Sequence, residues 1–116
     1  MPYDRGDVVL VLFPHSDLRM ASRRPALVVQ DGDIGSGLPQ TIIAMITSNM
    51  SRCGHASRIE IMQSSPEGAQ MGLRTDSVIM ADNLATILEC EIDRTIGHCP
   101  DMSPVDSALR FTLGLT

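Results

Sequence analysis

Apolar residues run along this chain in short unbroken blocks, not at helical spacing. Residues 8–13, Val8-Val9-Leu10-Val11-Leu12-Phe13, follow Gly6 and stop at Pro14. A short β-branched block between such breakers predicts a strand. Pro25 heads a second block, Ala26-Leu27-Val28-Val29, and proline is tolerated at the first position of a strand. Residues 41–47 form a third block, and Arg58-Ile59-Glu60-Ile61 alternates as a strand with one wet face does. Residues 77–80 predict a fifth strand and residues 95–98 a short sixth. The segments 14–24, 31–40 and 64–72 carry proline, glycine and polar residues and read as loops. Residues 82–88 predict a helical turn capped by Asp82. The C-terminal segment predicts a helix, with Ser103 as cap, Pro104 at its first position and Asp106 closing a capping box. Val105, Ala108, Leu109 and Leu113 would mark its inner face.

Unbroken apolar strands can belong to a parallel sheet, but parallel crossovers need helices, and the connections here are rich in glycine and proline. The pattern therefore predicts a mainly β fold: a small, strongly bent β-barrel or sandwich with one C-terminal helix. At 116 residues and 43% hydrophobic content the chain can bury a core, and we expect residues 1–116 to form a single domain. No stretch reaches the ~20 apolar residues of a membrane helix, and the start has no basic segment leading into an apolar one, so we expect a soluble, cytoplasmic protein.

Charge changes the picture more. Nine arginines and no lysine stand against 14 acids, for a net charge of −5. That balance argues against a non-specific nucleic-acid binder. The distribution is uneven: residues 1–24 hold four of the arginines and three of the acids. Arginine also suits forked contacts to phosphate or carboxylate better than lysine does. The three cysteines, Cys53, Cys90 and Cys99, form no CxxC pair, which argues against a disulfide framework or a zinc site. A zinc reading would require Cys53, His55 and Cys99 to converge.

Four places set reactive groups at strand ends, where sites are commonly built. They are His15-Ser16-Asp17, Arg23-Arg24-Pro25, Thr47-Ser48-Asn49 and Arg74-Thr75-Asp76-Ser77. Each has a plain structural reading too. His15 could be a solvated loop residue, Arg24 could pair with Asp17 or Asp76, and Arg74 and Asp76 could neutralise each other on one strand face. Residue types alone leave the function open.

The order of the segments narrows it. Arg5-Gly6-Asp7-Val8-Val9-Leu10-Val11, Arg24-Pro25-Ala26-Leu27-Val28-Val29, Ile46-Thr47-Ser48, Gly72-Leu73-Arg74-Thr75-Asp76-Ser77-Val78 and Asp82-Asn83-Leu84-Ala85-Thr86-Ile87 follow one another. Together they resemble the MazF/PemK/Kid-type toxins of bacterial toxin–antitoxin systems over nearly the whole chain. The resemblance implies an SH3-like, CcdB-like β-barrel, a homodimer, and a metal-independent, sequence-selective endoribonuclease that needs no cofactor and acts on single-stranded RNA. It implies a cognate antitoxin peptide as partner. It also implies Arg24, Thr47, Arg74 and Asp76 as catalytic residues, with His15, Arg23, Ser48 and Asn49 toward the RNA.

The chemistry agrees with those residue types. RNA supplies its own nucleophile, the ribose 2′-hydroxyl, and cleavage would leave a 2′,3′-cyclic phosphate. The protein must supply a base, a proton for the departing 5′ oxygen, and positive charge around the phosphorane. Arg24 and Arg74 suit the charge, Thr47 a hydrogen bond, and Asp76 the base; His15 suits the acid better than any arginine. The acidic balance keeps an alternative open, a silent or repurposed relative that binds a protein such as gyrase or an antitoxin.

Overall fold

The computed structural model describes residues 3–14 and 21–115. Its elements, in chain order, are β1 (Asp7–Pro14), β2 (Ala21–Val28), β3 (Gln40–Thr47), a 3-10 turn at Met50–Arg52, β4 (Arg58–Ile61), α1 (Pro66–Gln70), β5 (Ser77–Leu88), a second 3-10 turn at Glu89–Glu91, β6 (Ile92–His98) and α2 (Ser103–Leu113). The six strands form one sheet in the order β4-β5-β3-β2-β1-β6, and every pairing is antiparallel. The mainly β architecture with a C-terminal helix is as expected. The sheet is bent but not closed: its edges, β4 and β6, do not pair with each other.

The apolar blocks are unbroken because both faces of the sheet are covered. Neighbouring residues point to opposite faces, and they belong to two different cores. Val8, Leu27, Ala44, Ile46 and Ile79 pack with Met71, Leu73, Cys99 and Val105 on one face. Val9, Val11, Ala26, Val28, Ile43, Ile87 and Ile92 cluster on the other. α2 closes the first face against β4 and β5. The bend closes the second. Arg5 fastens this assembly, donating from Nε to the Val29 carbonyl at 3.1 Å and pairing with Asp106 of α2.

Four expectations need correction. β2 begins at Ala21, so Pro25 lies inside the strand rather than at its first position. Proline is accommodated because β2 pairs with β3 only over Ala26–Val28. Val28 accepts from Gly6 on the β1 side, so alternation turns residue 25 toward β3, where the ladder has already ended. Segment 64–72 holds a helix, α1, started by the Ser65 hydroxyl accepting from the Gly68 amide at 3.0 Å, with Pro66 in its first turn. Residues 82–88 are not a helical turn but the second half of β5. The pairings Met45↔Met80 and Ala44↔Leu84 leave Ala81, Asp82 and Asn83 as a bulge, which the two polar residues occupy. In α2 the first-turn amide of Ser103 is taken by Asp101 Oδ1 at 3.0 Å, and Asp106 serves Arg5 instead of a capping box. Val105 and Ala108 are buried as predicted, but Leu113 is 55% exposed.

Candidate active site

Pro25 also shapes the principal cleft. Beyond Met45, β3 leaves β2 and continues alongside β5 alone. The gap between the separating strands opens into a cleft of about 980 Å³, at the upper end of the ~300–1,000 Å³ usual for ligand pockets. Its apolar lining includes Leu10, Pro25, Ile46 and Leu73, of which the last two belong to the first core.

Its walls come from four separate stretches of chain. Arg23 and Arg24 rise from β2, and Thr47 and Ser48 from the end of β3. Arg74, Thr75 and Ser77 come from the turn before β5, and Arg94, Thr95 and Ile96 from β6. Four arginines therefore line one cleft of a protein of net charge −5. The cleft is locally cationic, which the charge total hides.

Glycine brings the last two stretches together. Gly72 has φ +71°, and a β-carbon there would lie 2.2 Å from the Ile96 carbonyl oxygen. On the facing strand, a β-carbon on Gly97 would lie 2.3 Å from the Met71 carbonyl carbon. Only a pair of glycines lets the α1–β5 turn, and Arg74 with it, lie against β6.

Of the residues expected from sequence, Arg23, Arg24, Thr47, Ser48 and Arg74 share this cleft. Thr47 Oγ1 accepts from the Asn49 amide at 3.1 Å, which turns the chain at the cleft edge. Asn49 is not part of the lining. Its Oδ1 accepts from the Ser51 amide and hydroxyl at 3.2 and 2.6 Å, capping the 3-10 turn. Asp76 is also absent from the lining: the strand starts only at Ser77, so Arg74 and Asp76 do not share a strand face. The Asp76 carboxylate accepts from the Gln63 amide at 2.9 Å, tying the Arg74 turn to the segment leading into α1. His15 lies outside the described residues. Among the described lining residues there is no carboxylate and no imidazole.

Sequence reading missed Arg94 and its neighbour Asp93. Asp93 Oδ2 accepts from Arg23 Nε at 2.9 Å and from Arg94 Nη1 at 3.1 Å. The only trace in the sequence is an Asp-Arg pair on a short strand; its link to Arg23 requires the sheet order. The three residues named for a zinc reading form no cluster, since no three His, Cys, Asp or Glu side chains converge among the described residues. Cys99 is buried, and burial pushes its thiol pKa up. Among the described residues no helix is long and apolar enough to cross a membrane.

Comparison with known proteins gives a consistent result. The family model described as PemK-like, MazF-like toxin of type II toxin–antitoxin system matches residues 4–113. The chain is 33% identical to Endoribonuclease EndoA of Bacillus subtilis (strain 168) over 115 residues, covering 96% of this chain and 94% of that one. Among solved structures, it resembles MazF in a MazE–MazF crystal structure from Deinococcus radiodurans (TM-score 0.75, 19% identity, 98% of both chains). It also resembles a mycobacterial endoribonuclease solved with its cognate antitoxin (TM-score 0.72, 22% identity, 98% of this chain and 97% of that one).

Proposed function

This chain belongs to the PemK-like, MazF-like toxins of type II toxin–antitoxin systems, and from that premise we propose that its arginine-lined cleft is the active site of an endoribonuclease cutting single-stranded RNA. The observation that carries the assignment is the convergence of Arg24, Thr47 and Arg74, distant in sequence, on one concave surface.

In the reaction the ribose 2′-oxygen attacks the neighbouring phosphorus. The 2′-O–P bond forms, the P–O5′ bond breaks, and the products are a 2′,3′-cyclic phosphate and a free 5′-hydroxyl. The 2′-oxygen gives its proton to a water molecule in the cleft, and the departing 5′-oxygen takes one from solvent. Between these steps the phosphorane carries more negative charge than the substrate did. Guanidinium groups lining a cleft favour that state over the ground state, which is how a site without a nucleophile of its own can catalyse. Arg24 and Arg74 supply the charge from β2 and from the turn before β5. Thr47, on the third wall, hydrogen-bonds a non-bridging oxygen through its hydroxyl. Ser48 and Arg23 hold the strand at the edge.

Asp76 takes a positioning role in this scheme, because its carboxylate is engaged with the Gln63 amide and fixes the turn that presents Arg74. The positive charge comes from side chains, so the scheme assigns no cofactor. The partners are single-stranded RNA and an antitoxin peptide, the working form is a homodimer, and the reaction belongs in the cytoplasm.

The test is cleavage of single-stranded RNA by the purified protein in EDTA, with the 3′ ends identified by mass. A 2′,3′-cyclic phosphate, and its loss in Arg24→Ala, support the reading. Equal behaviour of wild type and variant on RNAs of mixed sequence overturns it.

A further inference from the structure

We propose that Arg23, Asp93 and Arg94 form a second phosphate-binding subsite at the cleft, with Asp93 as the positioning residue that holds both guanidinium groups toward the phosphate next to the scissile one. The proposal rests on the endoribonuclease reading and extends it to residues of β6.

The first observation is a bulge. β6 pairs with β1 through Leu10↔Arg94 and Val11↔Ile92, so Asp93 is an extra residue between consecutive pairs. In a regular strand Asp93 and Arg94 would point to opposite faces. The bulge removes that constraint, and their side chains meet at 3.1 Å. Bulges that re-aim a side chain are common beside active sites.

The second observation is the register across β1. Leu10 lies opposite both Pro25 of β2 and Arg94 of β6, and Leu12 lies opposite Arg23. Directly paired residues share a face, so Arg23, Leu10, Pro25 and Arg94 stand on one side of the sheet while Arg24, opposite Val11, alternates to the other; the cleft, lying where β3 leaves β2, is lined from both. Asp93 Oδ2 then bridges the two arginines over β1.

The third observation is charge. One carboxylate between two guanidinium groups leaves the cluster positive. Each arginine meets the carboxylate through one nitrogen and remains more than half exposed, at 58% and 59% of its side chain. A planar fork with one arm held is well placed to give its other N–H groups to phosphate oxygens. Holding the fork before binding also reduces the ordering cost when RNA arrives. A merely structural ion pair would need neither the bulge nor both arginines in the lining of the cleft.

The experiment uses the full chain and fluorescein-labelled single-stranded RNA of randomised sequence with 2′-O-methyl riboses, which cannot be cut. Binding is read by anisotropy over a salt series, with oligonucleotides of about four and about sixteen nucleotides. Arg94→Gln should weaken binding of the longer RNA by roughly threefold to tenfold, the worth of one exposed charge-assisted contact. The slope of log K against log salt should fall by about 0.7, the value for one phosphate on a single strand. Asp93→Ala, which keeps both arginines but frees them, should weaken binding without lowering the slope. Arg52→Gln makes the same charge change away from the cleft and serves as control. Unchanged affinity and slope in Arg94→Gln, or equal losses in Arg52→Gln, overturn the subsite. Because binding is measured without cleavage, a wild type that binds this RNA but leaves unmodified RNA of the same randomised sequence uncut would refute the endoribonuclease reading and leave the subsite standing.

Discussion

A β-carbon on Gly72 would stand 2.2 Å from the carbonyl oxygen of Ile96, closer than any real contact of that kind. The backbone of the α1–β5 turn therefore touches β6 directly, at a residue whose φ of +71° already favours glycine. Gly72→Ala should destabilise the protein by about 2–4 kcal/mol, from overpacking against backbone together with left-handed strain. The fraction that remains folded should cleave poorly, because Arg74 follows the same turn. Chemical denaturation measures the first effect, and turnover per folded molecule the second. Wild-type stability in Gly72→Ala would contradict the packing described.

Arg24 and Arg74 line one cleft from separate stretches of chain, and loss of Arg24 should act on the reaction far more than on the fold. Arg24→Ala should lower kcat by about 10²–10³, the usual effect of removing one preorganised donor from a site that stabilises developing charge. Arg24→Lys should recover only part of it, since a point charge cannot reproduce a planar fork. Single-turnover cleavage under saturating enzyme separates this from weakened binding.

Thr47 has two roles that substitutions can separate. Its Oγ1 accepts from the Asn49 amide and so shapes the turn, while its hydroxyl hydrogen remains to be donated. Thr47→Ser keeps both and should retain activity within a few-fold. Thr47→Val keeps the shape but loses both, and should cost about 1–3 kcal/mol in transition-state stabilisation. The comparison of kcat/KM for the two variants is the check.

How far the sequence could be read follows from the range of the forces involved. β1, β3 and β4 were legible because their apolar blocks and the breakers around them are local properties. Pro66 and Gly68 looked like breakers, yet one opens α1 and the other gives its amide to the cap. The polar pair Asp82-Asn83 looked like a helix start because a bulge exists only in relation to the partner strand. Arg24, Thr47 and Arg74 were found through the order of their motifs. The family resemblance implies a catalytic role for Asp76, and only the fold shows its carboxylate on the Gln63 amide. Arg94 could not be found, because its place beside Arg23 depends on β1 lying between their strands.

The ion pair that spans the β5 bulge predicts a pH dependence. Arg58 of β4 donates to Asp82 through Nη2 at 2.8 Å and Nε at 3.3 Å, and holds its carboxyl below the ordinary carboxylate range. A carboxylate whose pKa is lower in the folded chain stabilises the fold above the unfolded value of about 3.9. That stabilisation is lost as pH falls through the lower, folded value. Asp82→Asn should therefore be less stable than wild type at neutral pH, by about 0.5 kcal/mol for so exposed a pair. The difference should shrink as the pH drops below about 4 and vanish in stronger acid. Urea denaturation at neutral pH and in acid tests this, and a difference that grows in acid would contradict it.

The two cysteines that follow the bulge offer an independent measure of the core. Cys99 is 5% exposed, packs with Val8, Leu27 and Val105, and burial raises its thiol pKa; Cys90 lies exposed in the second 3-10 turn. The thiolate is the reactive form, so both low access and a raised pKa slow Cys99. Cys90, being exposed, should react with a thiol reagent in the native protein without any opening. Cys99 should react only through opening of the α2 side of the core, so its rate reports local or global unfolding. Gly72→Ala should accelerate Cys99 and leave Cys90 unchanged. Mass spectrometry of the labelled peptides distinguishes the sites, and equal rates for the two cysteines in the native protein would show that α2 does not cover the sheet as described.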